Sequence, residues 1–166
     1  MDHDFIRKRT GEFLKKDYYY AGREWPYKYV KKQVLIEPYL EDEKTHELRD
    51  YKFFCFNGIV RCFKIDFNRF SNHRANYYST DLELLSIGEK ACPPDPSAKI
   101  DFPNNVSQMI EFATVLSHSI PFVRVDFYET NGEVYFGEMT FYPASGFGCF
   151  TDISSDYMLG QWLNIK

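Results

Sequence analysis

The sequence predicts a domain mixing β-hairpins with helices. Three observations carry this: an Asn57-Gly58 turn and an Asn131-Gly132 turn, each set between β-forming runs, and an apolar pattern of helical period between Asn105 and Ile120. Asn-Gly is the strongest short hairpin signal, because both residues of a tight two-residue turn need positive φ. A length of 166 residues suits one domain, or a piece of a larger one. With 44% hydrophobic and 27% charged residues the chain can bury a core. The aromatic share of 19%, from 16 Phe and 13 Tyr among others, suits strands and wide clefts.

The elements follow in chain order. Residues 4–18 place Phe5, Ile6, Phe13, Leu14 and Tyr18 among basic residues, a modest amphipathic helix weakened by Gly11. Tyr18 to Lys32 is aromatic and basic, and Pro26 interrupts it, so a loop with extended pieces is expected. Gln33 to Ile36 reads as a short strand ending at Glu37-Pro38. Asp50 to Phe67 is the first hairpin. Asn68 to Pro103 is polar, with Pro93, Pro94 and Pro96 close together, and long irregular stretches inside domains are often functional. In the helix that follows, Met109, Phe112, Ala113, Leu116 and Ile120 share a face, and Asn105 and Gln108 have capping-box spacing. The stretch Phe122 to Gly146 holds the second hairpin, closed by a Pro143-Ala144-Ser145-Gly146 turn, and a Gly-rich loop and a short helix near Ser155 to Leu163 follow.

The net charge of -4 argues against coating a nucleic acid, whose binders are usually basic. No apolar run approaches the ~20 residues of a bilayer span, and no signal peptide opens the chain, so the cytosol is the expected location. Cys55, Cys62, Cys92 and Cys149 form no Cys-x-x-Cys pair and lack a zinc-finger histidine. Cys55 and Cys62 read as small core residues. His46 and His118 have no positioned nucleophile beside them and read as structural or exposed.

The second hairpin carries one acid per strand, Asp126 and Glu138. Two carboxylates on one sheet face can hold Mg²⁺, which favours one or two carboxylates plus phosphate oxygens. Side chains alternate along strands, so register decides the matter. A two-residue loop would pair Thr130 with Glu133 and Asp126 with Gly137, sending Glu138 to the other face. A three-residue loop, Thr130 to Gly132, pairs Glu129 with Glu133 and Arg124 with Glu138. Asp126 then opposes Phe136, and both acids point the same way. The three-residue loop is therefore expected, with Gly132 in its left-handed position. The plainer alternative is two unrelated surface charges.

Taken in order, the segments REWPYK (Arg23 to Lys28), LIEPYLED (Leu35 to Asp42), DYKFFCFNG (Asp50 to Gly58) and VRVDFY…GEVYFGEMTFYPASGF resemble the C-terminal core of the TupA-like (teichuronopeptide biosynthesis) ATP-grasp family. The resemblance runs from about Lys15 to Lys166. It implies an α+β fold, ATP-grasp-like, with an antiparallel sheet and packed helices. Residues 1–34 would end a lid subdomain and 35–166 form the ATP- and Mg²⁺-binding subdomain.

It also implies an ATP-dependent carboxylate–amine ligase that works through an acylphosphate, in cell-envelope or exopolysaccharide polymer biosynthesis. The cofactors would be ATP and Mg²⁺. Asp126 and Glu138 match the metal carboxylates, and Thr140 stands where many relatives carry Asn. Glu37, Tyr39 and Leu40 match the adenine-reading hinge, Pro38 helping to fix it. Glu43 is a candidate for the ribose hydroxyls, with Asp42 and Glu47 competing. Lys52 matches a phosphate-neutralising base, and Arg69, with Arg74 as the fallback, an arginine that meets the transferring phosphoryl group. Arg124 would pair with Glu138 or contact phosphate, pairing being favoured. Ser145 and Gly146 lie where the acceptor substrate has room.

No Gly-rich phosphate cradle appears in the first thirty residues, so the N-terminal part of the full fold is expected to be missing or supplied by another segment or subunit. On that expectation the isolated chain binds ATP weakly and turns over little or not at all. Two alternatives stand beside the ligase: a non-catalytic remnant or subunit, and a glycosyltransferase-like protein of polysaccharide biosynthesis that stacks sugars on its aromatics.

Overall fold

The computed structural model describes residues 2–41, 48–69 and 71–165. The chain divides into two compact units, Met1–Tyr39 and Leu40–Lys166.

The first unit is helical. Asp2 caps α1 (His3–Leu14) by accepting from the backbone N–H groups of Asp4 and Phe5 at 3.1 and 3.0 Å. Gly11 is tolerated inside α1. Tyr18 to Lys32 is not simply loop: it holds α2 (Tyr19–Gly22) and a 3₁₀ turn at Trp25–Tyr27. Pro26 lies in the first positions of that turn, where its missing N–H costs nothing. The expected strand at Gln33 to Ile36 does not form. Residues 30–41 have no regular structure, and Leu35 and Ile36 are exposed. Three apolar residues, Val34 to Ile36, without a neighbouring strand have no ladder to join.

The second unit is a five-stranded antiparallel sheet in the order β3-β2-β1-β4-β5. The strands are β1 (Tyr51–Phe56), β2 (Ile59–Phe67), β3 (Arg74–Tyr78), β4 (Phe122–Thr130) and β5 (Glu133–Thr140). The α+β architecture with an antiparallel sheet is as the resemblance implies. Strand β3 was hidden in the polar stretch after Asn68, since RANYY carries no alternating pattern.

One sheet face is apolar. Phe53, Phe63, Val125 and Phe127 are fully buried there against Met109 and Ala113 of α3 (Val106–Leu116). Each such phenylalanine contributes about 1.5–3 kcal/mol. Cys55 and Cys62 are fully buried, and burial pushes their thiols up to about 11 and about 12. The capping box at Asn105 does not form. Asn105 instead donates to the Gly132 carbonyl at 2.7 Å, tying α3 to the β4–β5 turn.

The opposite face is divided. One end packs Phe54, Phe56 and Tyr77 against Leu159 of α4 (Ile153–Trp162), which Asp152 caps. The other end is charged and holds the candidate site.

Candidate functional site

The hairpin register differs from the expected one, and the difference builds the site. The β4–β5 turn has two residues: Thr130 pairs with Glu133, and Asn131 and Gly132 both have positive φ, 54° and 79°. Continued unbroken, that register would turn Glu138 away from Asp126. A β-bulge between Asp126 and Phe127 resets it. Phe127 pairs with Phe136, Gly137 is the extra residue, and Asp126 pairs directly with Glu138. The three-residue loop and the Arg124–Glu138 and Asp126–Phe136 pairings are thus corrected, while the shared face of the two acids holds. Glycine fits the bulge because a Cβ at 137 would meet the Asp126 carbonyl oxygen and a Tyr128 ring carbon at 3.0 Å each.

Directly paired residues share a face. Lys52 pairs with Asp126, and Arg124 with Thr140. The Arg124 guanidinium grips Asp126 with two 2.7 Å hydrogen bonds, from Nε to Oδ1 and from Nη2 to Oδ2. The same Nη2 donates to Glu138 Oε1 at 2.9 Å and Thr140 Oγ1 at 3.0 Å. Thr140 in turn donates to Glu138 at 3.1 Å. The three proposed metal ligands therefore converge on one cationic nitrogen. Oxygen donors from two acids and a hydroxyl form a hard set suited to Mg²⁺.

A second layer surrounds this centre. Lys52 Nζ lies 3.0 Å from Asp50, 3.5 Å from Asp66 and 3.4 Å from Asp126. Arg69 also bonds Asp50, and His73 Nε2 meets Asp66 Oδ1 at 2.8 Å. Asp66 Oδ2 is buried without a hydrogen-bond partner among the described residues. Burial raises the Asp126 carboxyl above its ordinary value, with Arg124 and Lys52 pulling the other way. Burial likewise works against the Arg124 charge, but Asp126 and Glu138 more than offset it and hold the guanidinium above its ordinary value. Burial, with the Asp50 charge, pushes Tyr128 up to about 12.

Arg69, Lys52, Asp126, Glu138 and Thr140 are thus assembled on one face of the second unit. Arg74 lies on β3, paired with Phe67. Glu37 and Tyr39 are exposed in irregular chain of the first unit, and Leu40 begins the second. Glu43, with Asp42, His46 and Glu47, lies outside the described residues. His118 is exposed beside Ser119. The sequence reading missed Asp50, Asp66, His73, Lys64 and Glu89. Asp50 and Asp66 could have been found from their two-residue offsets to Lys52 and Lys64. Glu89 gave no signal, since a non-local contact brings it in.

Glu89 arrives through a bridge to Phe150 and accepts from Lys64 Nζ at 3.0 and 3.1 Å, from Tyr77, and from Cys92 at 3.2 Å. Burial opposes its ionisation, but Lys64 prevails and the carboxyl stays below its ordinary value. Lys64 is likewise held above its own, Glu89 outweighing the cost of burial. Asp66, His73 and Cys92 also bring donor atoms within 4.8 Å of one another. Lys64 lies 3.9 Å from Cys92 Sγ, and burial pushes that thiol up to about 12, so the group reads as part of the ion-pair network.

Glu89→Gln is expected to cost about 2–4 kcal/mol at pH 7, because it strands a buried ammonium. A carboxyl depressed in the folded state stabilises above its unfolded pKa, and that stability is lost as pH falls through the folded value. Urea melts should show the gap between wild type and variant closing below about pH 4. A gap constant from pH 7 to pH 3 counts against the pair.

A cavity of about 460 Å³ adjoins the site, with Arg124 in its wall. Its lining includes Pro143, Ala144 and Gly146 of the 3₁₀ turn at Pro143–Gly146, where Ala144, Ser145 and Gly146 all have positive φ (50°, 55° and 78°). For Ala and Ser this costs of the order of 1 kcal/mol each.

Among the described residues no helix is long and apolar enough to cross a membrane. No curated protein and no solved structure matches the chain. Residues 3–164 match the model of the family described as TupA-like ATPgrasp. That span takes in the Asp126/Glu138 hairpin and the Lys52 strand, and the chain belongs to the TupA-like ATPgrasp family.

Proposed function

We propose that the chain is the metal- and nucleotide-binding part of an ATP-dependent carboxylate–amine ligase serving cell-envelope or exopolysaccharide synthesis. The observation that carries this is the convergence of Asp126, Glu138 and Thr140 oxygens on one cation position. Charge supports it. Asp50, Asp66, Asp126 and Glu138 form ion pairs with Lys52, Arg69 and Arg124 among the described residues. Divalent metal would ease the approach of a triphosphate to so acidic a surface.

Mg²⁺ would supply charge neutralisation for the triphosphate. Asp126 and Glu138 would hold it, with the Thr140 hydroxyl as the third oxygen. Arg124 Nη2 bonds those three oxygens in this structure and would compete with the metal for them. Where it yields them, the guanidinium can meet a phosphoryl oxygen. Lys52 and Arg69 face the transferring group as it leaves ATP for a carboxylate oxygen and ADP departs. An amine nitrogen then attacks the acyl carbon, the C–O bond to phosphate breaks, and the nitrogen loses a proton. Glu37, Tyr39 and Leu40 are assigned to adenine and Glu43 to ribose, on the family resemblance.

A second reading, nucleotide binding without turnover, is favoured by the guanidinium that fills the metal position. Calorimetric titration with ATP tests the proposal, run with Mg²⁺ and with EDTA, followed by an assay for ADP release with added carboxylates and amines. Binding that needs Mg²⁺ is expected. Absent or metal-independent binding overturns the nucleotide assignment, and binding without ADP release selects the second reading.

A further inference from the structure

The cavity beside Arg124 has a charge balance that selects its ligand. Its charged lining residues are Lys64, Glu89, Arg124 and Asp156. Three of them are already engaged. Lys64 spends its ammonium on both oxygens of Glu89, and Arg124 spends its guanidinium on Asp126 and Glu138. Asp156, exposed in the first turn of α4, has no ion pair or side-chain hydrogen bond among the described residues. The remaining wall is mostly apolar, built from Phe54, Phe56, Phe122 and Leu159 among others.

We infer that this cavity binds a small primary amine carrying an apolar or aromatic body, with the ammonium on Asp156. Resting on the ligase reading, this names the class of acceptor that the enzyme takes. The volume of about 460 Å³ lies within the range of small-molecule sites. In the metal-free chain a ligand carboxylate finds no free cation in the wall among the described residues. To reach Lys64 it has to displace Glu89, which also accepts from Tyr77 and Cys92. An ammonium needs no displacement, and Asp156 offers it a carboxylate with no competing ion pair among the described residues. A polar sugar amine leaves its hydroxyls unpaired against those rings.

The test is calorimetry on the full chain without nucleotide. The probes are phenethylamine, the near-isosteric 3-phenylpropanoate, and glucosamine. Phenethylamine is expected to bind at least about tenfold tighter than either of the others, and Asp156→Asn to weaken it about threefold, the equivalent of roughly 0.7 kcal/mol, as suits an exposed pair. Gly160 also lines the cavity, and a Cβ there meets nothing within 4 Å. Gly160→Phe should therefore fill the cavity, abolish phenethylamine binding and leave the thermal midpoint unchanged or raised, since glycine is a poor helix former.

Preference for 3-phenylpropanoate or glucosamine overturns the inference, as does undiminished binding in the two variants. If Mg-ATP binds normally and phenethylamine does not, the cavity assignment fails alone. If phenethylamine binds and Mg-ATP does not, the ligase reading fails while the amine site stands.

Discussion

Glu138→Ala is expected to weaken Mg²⁺-dependent ATP binding by about 100-fold or more while leaving folding stability within about 0.5 kcal/mol of wild type. The two halves of this result have separate causes. The Glu138 side chain is 63% exposed, so its removal opens no cavity and strands no buried group. It also contributes one of the two carboxylates at the cation position among the described residues, and Mg²⁺ at protein sites depends on such charge. Thr140 keeps its hydroxyl, and Arg124 keeps its bidentate grip on Asp126. The measurements are calorimetric ATP titration at fixed Mg²⁺ and a thermal melt of the same preparation. Unchanged Mg-ATP affinity removes the metal assignment. A large loss of stability instead makes Glu138 a structural residue.

Asp126→Asn is expected to destroy both properties at once. The Asp126 side chain is 2% exposed, and it accepts two bonds from Arg124 while Lys52 stands 3.4 Å away. Neutralising it leaves two largely buried cations short of their anion. Breaking a buried pair from one side costs about 3–5 kcal/mol, mostly the penalty of the stranded charge, and relief from burying the Asp126 carboxylate itself puts the expected loss at the lower end of that range. For a domain of this size that is a large fraction of total stability. Urea denaturation should register the loss, and Mg²⁺-dependent nucleotide binding should be absent even where the variant remains folded. A variant as stable as wild type contradicts the ion-pair account. One that is folded and still binds Mg-ATP contradicts the metal account. The contrast with Glu138 is the point of the pair: both acids sit on one face, but only Asp126 also holds the sheet together.

The legibility of this site divides along the same line. The two acids were visible because they lie on a hairpin that its Asn-Gly turn announces, whereas Lys52 and Arg69 were named only through the family resemblance. The partners that give those residues their character were not visible. Arg124 was placed opposite Glu138 through a loop length that proved wrong, yet it reaches Glu138 from opposite Thr140. Glu89 reaches Lys64 from 25 residues away, through a bridge between two irregular segments. Strand β3 forms because β2 offers it an open edge, not because RANYY favours extension.

Two hairpins, a helix with one apolar face and two acids flanking a glycine turn are properties of the chain read locally. Positive φ at Asn-Gly and the 3.6-residue period depend on near neighbours alone. Whether the acids meet depends on one surplus residue, Gly137, absorbed as a bulge where the Asp126 carbonyl and the Tyr128 ring leave no room for a Cβ. That choice belongs to strand pairing and close packing, which only the assembled sheet decides, because a shift of one residue exchanges the two faces of a strand.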